Sequence, residues 1–268
     1  MSVSLTDLAG PAPATITSHR LEGKICLVTG ATSGIGRATA LRMAQEGAAA
    51  VVVTGRREVL GEAVVAELRA AGTAGLFVSM DVTKEADARR VVEKTMERFG
   101  RLNAVFNNAG YQEKRAPLME QSDEIFSTVF DTNVRSLFNA LRFQIAAMLE
   151  SGGGTIVNNT SVSGVRNPNP GLSLYSASKA AAIALTKAAA MEYAPKGVRI
   201  NSVAPGRVVT DMMLGSGIAD MRQVAAGLPL RRMGHPEEVA AAVTWLLSDE
   251  AAYVVGHILC TDGGFLAS

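Results

Sequence analysis

The feature that most constrains this chain is a rhythm of short, almost continuously apolar runs. They fall at residues 25–29, 50–54, 76–80, 104–107, 155–158, 199–203 and 257–261. Between most of them lie segments with helical periodicity, at 35–47, 58–71, 84–99, 126–149, 174–193 and 236–247. A strand with one face in water alternates apolar and polar residues, whereas one covered on both faces does not. Runs of the second kind, each followed by a helix, predict parallel strands joined by right-handed crossovers. The expected fold class is therefore α/β, a single Rossmann-like, doubly wound, mostly parallel seven-stranded sheet flanked by helices. No internal repeat, low-complexity tract or linker divides the chain, so residues 21–268 read as one domain. Residues 207–232 are too long for a plain connection and read as a functional loop. Residues 1–20 hold Asp7 and two prolines but no continuous apolar segment, and read as a flexible arm rather than a secretory signal.

Composition narrows the function classes. The formal net charge is +1 with both signs interspersed, which argues against a nucleic-acid surface or a polybasic membrane patch. The longest apolar runs, such as 239–247, fall short of the ~20 residues that cross a bilayer. Cys26 and Cys260 lie far apart in apolar runs and read as core residues of a protein in a reducing compartment, so a cytoplasmic location is expected. His19, His235 and His257 lack metal-ligand spacing, and no metal is expected.

The first strand runs into Gly30-Ala31-Thr32-Ser33-Gly34-Ile35-Gly36 and then a helix. The spacing is not that of the common dinucleotide fingerprint, but the physics is shared. Glycines let the backbone turn tightly against a pyrophosphate, which rests on the N–H groups of the helix N-terminus. A tight turn with no ligand would read the same way. At the end of the second strand stand Gly55, Arg56 and Arg57, where binders of the unphosphorylated dinucleotide carry Asp or Glu for the ribose hydroxyl. A guanidinium fork suits a 2′-phosphate, so NADP (NADPH) is favoured and NAD is possible.

Tyr175 and Lys179 lie one helical turn apart on one face. Lowering a phenol by about three pKa units takes roughly 4 kcal/mol. One cation at about 4 Å, in an effective dielectric of ~20, supplies about that much. The expectation is a tyrosine acidified by its neighbouring amine, although such a pair alone also fits a tyrosine packed under a solvated lysine.

Gly30 to Gly36, Asn107-Asn108-Ala109-Gly110, Asn133, Ser161, Tyr175-x-x-x-Lys179 and Pro205-Gly206 occur in an order that resembles the short-chain dehydrogenase/reductase family, in its shorter single-domain branch. The resemblance runs from about Leu21 to the end and includes Asp262-Gly263-Gly264. It implies a dinucleotide-binding catalytic domain and an oxidoreductase moving a hydride between nicotinamide and a ketone or secondary alcohol. Tyr175 would be general acid and base, Lys179 its pKa-lowering partner and a contact to the nicotinamide ribose, and Ser161 a hydrogen-bond donor to the substrate oxygen. Ser163 competes for that last role; Ser161 is preferred because its Ser-Val-x-Gly setting resembles the family's, although the stretch to Tyr175 is one residue longer than usual. Asn133 would hold a water that links Lys179 to solvent.

The resemblance also puts Gly30, Thr32, Ser33, Gly34, Ile35 and Gly36 at the pyrophosphate, Arg56 and Arg57 at the ribose phosphate, and Asp81 and Val82 beside the adenine. Asn107, Ala109 and Gly110 would lie against the adenosine side. Pro205, Gly206, Val208 and Thr210 would embrace the carboxamide. Segments 111–118, 162–174 and 209–230 should line the substrate pocket, with Met212, Met213, Leu214, Ile218 and Met221 as adaptable apolar side chains. The alternatives are an NAD-dependent alcohol dehydrogenase, a 3-oxoacyl carrier-protein reductase-like enzyme and, in another class, a dinucleotide-binding protein without turnover. The stretch Glu150-Ser151-Gly152-Gly153-Gly154, without basic residues, lowers the carrier-protein reading. A homotetramer built through helices 126–149 and 174–193 and the last strand is also implied.

Overall fold

A computed structural model of the protein describes residues 5–10, 18–167 and 169–268. After a short helix, α1 (Leu5–Ala9), the chain alternates strictly through β1 (Ile25–Val28), α2 (Gly34–Gln45), β2 (Ala50–Gly55), α3 (Glu58–Ala70), β3 (Ala74–Ser79), α4 (Glu85–Phe99) and β4 (Ala104–Asn107). Then come α5 (Asp123–Phe130), α6 (Ser136–Glu150), β5 (Gly154–Asn159), α7 (Val162–Val165), α8 (Ser173–Tyr193) and β6 (Val198–Pro205). Two short helices, α9 (Asp211–Leu214) and α10 (Met221–Gly227), precede α11 (Pro236–Leu247) and β7 (Ile258–Thr261).

The sheet has the order β3-β2-β1-β4-β5-β6-β7, and each of its strand pairings is parallel. Its two faces explain the unbroken apolar runs. Cys26, Val28, Val51, Val53 and Phe106 pack under α2, α3 and α11, while Leu27, Val52, Val105 and Ile156 pack under α4, α6 and α8. Neighbouring residues of one strand thus enter opposite apolar layers, and in the central strands neither face meets water. The strand order reverses between β1 and β4, and ligands of such sheets gather at the carboxyl ends beside that point.

Two expectations need correction. The predicted single helix over 126–149 is interrupted by a π-helical segment, Asp131–Arg135, a distortion common at functional sites. The cause is tertiary: Asn133 turns inward, its Oδ1 accepting from Tyr111 N at 2.8 Å and its Nδ2 donating to Tyr111 O at 2.8 Å. The flexible arm expected over residues 1–20 is held at two places. Leu8 and Ala9 are buried in a small cluster with Val209, Ala225, Leu228 and Met233, and Met233 N donates to Leu8 O at 2.8 Å. Further on, Ser18 N donates to the Glu46 carboxylate at 3.0 Å, and Arg20 pairs with Glu46 and Glu250. The rest of that arm, residues 1–4 and 11–17, lies outside the described residues.

Candidate active site

The glycine turn between β1 and α2 is shaped by its own contacts. Gly30 adopts φ +64, the left-handed region where a side chain is strained, and a Cβ on Gly36 would sit 2.3 Å from Gly30 O. The turn is closed by Asn108, whose Nδ2 donates to Thr29 O and Gly30 O while its Oδ1 accepts from Asn159 Nδ2 at 2.9 Å. Beside it opens a cleft of about 460 Å3 lined by the turn, by Arg56, Arg57, Asp81 and Val82, and by Ala109, Gly110 and Thr210. Asp81 is held below the usual carboxylate range, chiefly by the hydroxyl of Thr83.

These residues fit a dinucleotide. Val82 and Ala109 offer flat apolar walls, and Gly110 leaves space where a Cβ would come within 3.4 Å of Lys179 Nζ. Asn159 Oδ1 is buried on the wall without a hydrogen-bond partner, an acceptor awaiting a donor. Gly55, at the position where an acidic residue would serve NAD, has no space for one while Thr32 keeps its place, because a Cβ would lie 2.6 Å from Thr32 Cγ2. Arg57 fixes that threonine, donating to Thr32 Oγ1 at 2.7 Å and to Ser33 Oγ at 2.7 Å, while Arg56 is exposed on the cleft.

Asn107 departs from its expected place. Strand alternation turns its side chain away from the cleft and into a buried amide network, where it exchanges hydrogen bonds with Gln144 and donates to Asn158 Oδ1. Its neighbour Asn108 faces the cleft instead.

Adjoining the cleft is a second cavity of about 110 Å3, whose walls include Ser161, Tyr175, Lys179 and Arg207. Pro205 and Gly206 close one end, with Gly206 N donating to Thr261 O at 3.1 Å, and Val208 bridges in parallel to Gly234. Thr210 caps α9 through Met213 N. Of the five apolar side chains expected from the long loop, Met212 and Met213 line this cavity. Met221 packs instead against the Leu8 cluster, and Leu214 is exposed.

The two serines separate cleanly. Ser163 Oγ accepts from Asn169 Nδ2 at 3.1 Å, whereas Ser161 Oγ accepts from Ser163 N at 3.1 Å and its hydroxyl acts on the Tyr175 phenol. Lys179 Nζ donates to Asn159 O at 2.8 Å and lies 5.6 Å from the centroid of the Tyr175 ring. Burial drives the Lys179 amine down to about 8. Burial also pushes the Tyr175 phenol above its ordinary value; the Ser161 hydrogen bond and the Arg207 charge oppose this, and the Glu113 charge adds to it. In the protein alone, burial thus outweighs the charges that act on this phenol. The amine is committed to a carbonyl, and the cation acting on the hydroxyl is Arg207.

Asn133 has its side chain committed to Tyr111 and to Ser178 Oγ at 2.9 Å. Next to it, between Lys179, Asn107 and Asn158, is a polar cavity of about 20 Å3, enough for one water. Sequence reasoning missed Arg207, Asn169 and Glu113. Arg207 stands directly after Pro205-Gly206 and offered a signal, a charge inside an apolar stretch. Glu113, 2% exposed, accepts from Tyr175 N at 3.0 Å and so caps α8 from a distant loop, for which the sequence carries no local cue.

A glycine-turned dinucleotide cleft leading to a Ser–Tyr–Lys set defines a class, and the chain belongs to the short-chain dehydrogenase/reductase family, as an NAD(P)-dependent oxidoreductase. The family model described as Enoyl-(Acyl carrier protein) reductase matches residues 30–266. The chain is similar to the A-factor type gamma-butyrolactone 1'-reductase (1S-forming) of Streptomyces virginiae, 44% identical over 91% of this chain and 96% of that protein. It is 38% identical to the 3-oxoacyl-(acyl-carrier-protein) reductase of Thermotoga maritima, over 92% of this chain and 99% of that one. Cyclohexanol dehydrogenase of an Acinetobacter species is also 38% identical, over 93% of this chain and 98% of that protein. Among solved structures, levodione reductase superposes with a TM-score of 0.89 at 35% identity, covering 93% of this chain and all of that one.

Proposed function

We propose that this protein interconverts a ketone and a secondary alcohol, with NADPH favoured over NADH as its partner. A bound nicotinamide supplies the hydride. The observation that carries the reading is the Ser161–Tyr175 hydroxyl pair on the wall of a cavity that shares Gly110, Asn159 and Thr210 with the dinucleotide cleft. In reduction, Ser161 orients the carbonyl oxygen and Tyr175 gives it a proton. A phenol raised by burial is fully protonated at neutral pH, which suits an acid. The phenolate left behind keeps the Ser161 hydroxyl beside it, and Lys179 returns the proton through the water-sized cavity beside Asn133.

Gly55, Arg56 and Arg57 support NADPH over NADH, because Gly55 puts no carboxylate at the strand end and a guanidinium there accepts a 2′-phosphate. The NAD-dependent alcohol dehydrogenase and the 3-oxoacyl carrier-protein reductase-like activity are the second readings; the second draws on similarity to the Thermotoga enzyme. A protein without turnover is disfavoured by the intact set of Asn133, Ser161, Tyr175 and Lys179. Exposed Phe126 and Phe138, both 48% exposed on α5 and α6, support a homotetramer formed through those helices. For the cytoplasmic reading, support comes from the free thiols Cys26 and Cys260, and no helix among the described residues is long and apolar enough to cross a membrane.

The decisive experiment is Tyr175→Phe. Carbonyl reduction, followed by nicotinamide absorbance, should fall at least a thousandfold while NADPH affinity by fluorescence titration stays within about twofold. Retention of most of the activity would falsify the acid assignment.

A further inference from the structure

The substrate cavity holds a cation outside the set of Ser161, Tyr175 and Lys179. Arg207 is half-buried in its wall, its Nη2 donating to Asn169 Oδ1 and its guanidinium 5.9 Å from the centroid of the Phe265 ring. Asn169, 5% exposed, is fixed in turn by donating to Ser163 Oγ. The side chain is thus braced from two sides, while among the described residues no carboxylate pairs with it. The other cation that acts on it, Arg115, donates to Pro170 O at 2.9 Å and adds positive potential. A desolvated guanidinium without a counter-charge is costly, and Arg207 lines a cavity that Tyr175 also lines. The same lining also carries apolar side chains, Val162, Leu172, Met212 and Met213.

We propose that Arg207 receives a second oxygen of the substrate, so that the site selects ketones bearing a carbonyl or carboxylate oxygen near the reacting carbonyl over plain ketones. The proposal rests on the reductase reading above and adds a substrate class to it. A guanidinium fork binds carbonyl and carboxylate oxygens alike, whereas the reacting carbonyl is taken by Ser161 and Tyr175. The two polar sites therefore fit a dioxygenated molecule, with its hydrocarbon part toward the methionines. Hydride and proton are still delivered to one carbonyl only; the second oxygen leaves unchanged.

The test compares kcat/KM for ethyl 3-oxobutanoate, 3-oxobutanoate and 2-pentanone, using wild type, Arg207→Leu and Arg207→Lys with NADPH. Wild type should prefer the better dioxygenated ketone over 2-pentanone by about tenfold or more. Arg207→Leu should erase that preference, mainly through KM, and Arg207→Lys should restore part of it. Faster reduction of the acid than of the ester would mark the second oxygen as anionic; the reverse would mark it as a neutral carbonyl. A wild type that takes 2-pentanone as well as the keto ester, or an Arg207→Leu enzyme that loses all three equally, would overturn the proposal alone. A wild type inert on all three would overturn it together with the reductase reading. NADPH affinity of each variant, measured by fluorescence, separates lost specificity from lost folding.

Discussion

Burial shifts Tyr175 up and Lys179 down, so each titrates toward its neutral form inside the fold. For Lys179 the folded value of about 8 lies below the ordinary 10.5, so over that window the unfolded chain holds the extra proton and stability rises with pH. Below the lower value the full penalty, about 3 kcal/mol, is present. We expect wild type to gain about 2 kcal/mol more than Lys179→Met between about pH 7.5 and about pH 9.5, measured by denaturant unfolding. The Tyr175 shift acts with opposite sign only above 10.0, and the buried thiol of Cys26 cancels between the two proteins. At the other end of the cleft, Arg56→Ala should weaken NADPH binding about tenfold and leave NADH almost unchanged, read by titrating each dinucleotide. Most of these positions could be read from residue type and spacing, Tyr175 and Lys179 included. Their electrostatics could not, because the burial that sets them comes from α7, β6 and the loop at Glu113, all remote in sequence.

Among the elements, α7 is the one whose placement most directly serves the site. A Cβ on Gly164 would lie 2.7 Å from Lys179 C and 2.8 Å from Ala180 N, so this glycine lets α7 lie against the backbone of α8. Gly164→Ala must push the two apart. A loss of about 1–3 kcal/mol in denaturant unfolding is expected, with a larger loss of activity because Ser161 moves away from Tyr175. The N-terminal helix acts on the other side of the pocket. Leu8 fills a hollow made by Val209, Ala225, Leu228 and Met233, and Leu8→Ala should raise KM severalfold with little change in kcat, seen in steady-state kinetics. Strand and helix positions were legible to within a few residues because burial on both faces leaves a strong apolar signal. The π turn at Asp131–Arg135 was not, since no Gly or Pro marks it and only the contact of Asn133 with Tyr111 creates it. Nor was the seat of Leu8, whose hollow is assembled from residues some two hundred positions away.

At the scale of the whole molecule, the sheet is closed by helices on both faces but leaves aromatic side chains outward on α5 and α6, where Phe126 stacks on Phe130 at 4.4 Å. Light scattering should give the mass of four chains for wild type, and Phe138→Glu should shift it toward smaller species if these helices meet a second copy. The global fold class was the most legible property of all, because it depends on the order of apolar runs and not on any single contact. The strand order has a further consequence, in the timing of biosynthesis. The glycine turn is made at residues 30–36, yet Gly206 is held by Thr261 and Asp262, far later in the chain. A chain cut before Thr261 would keep that turn but lose the contacts that hold Gly206, so the two ends of the proposed coenzyme site mature at different times.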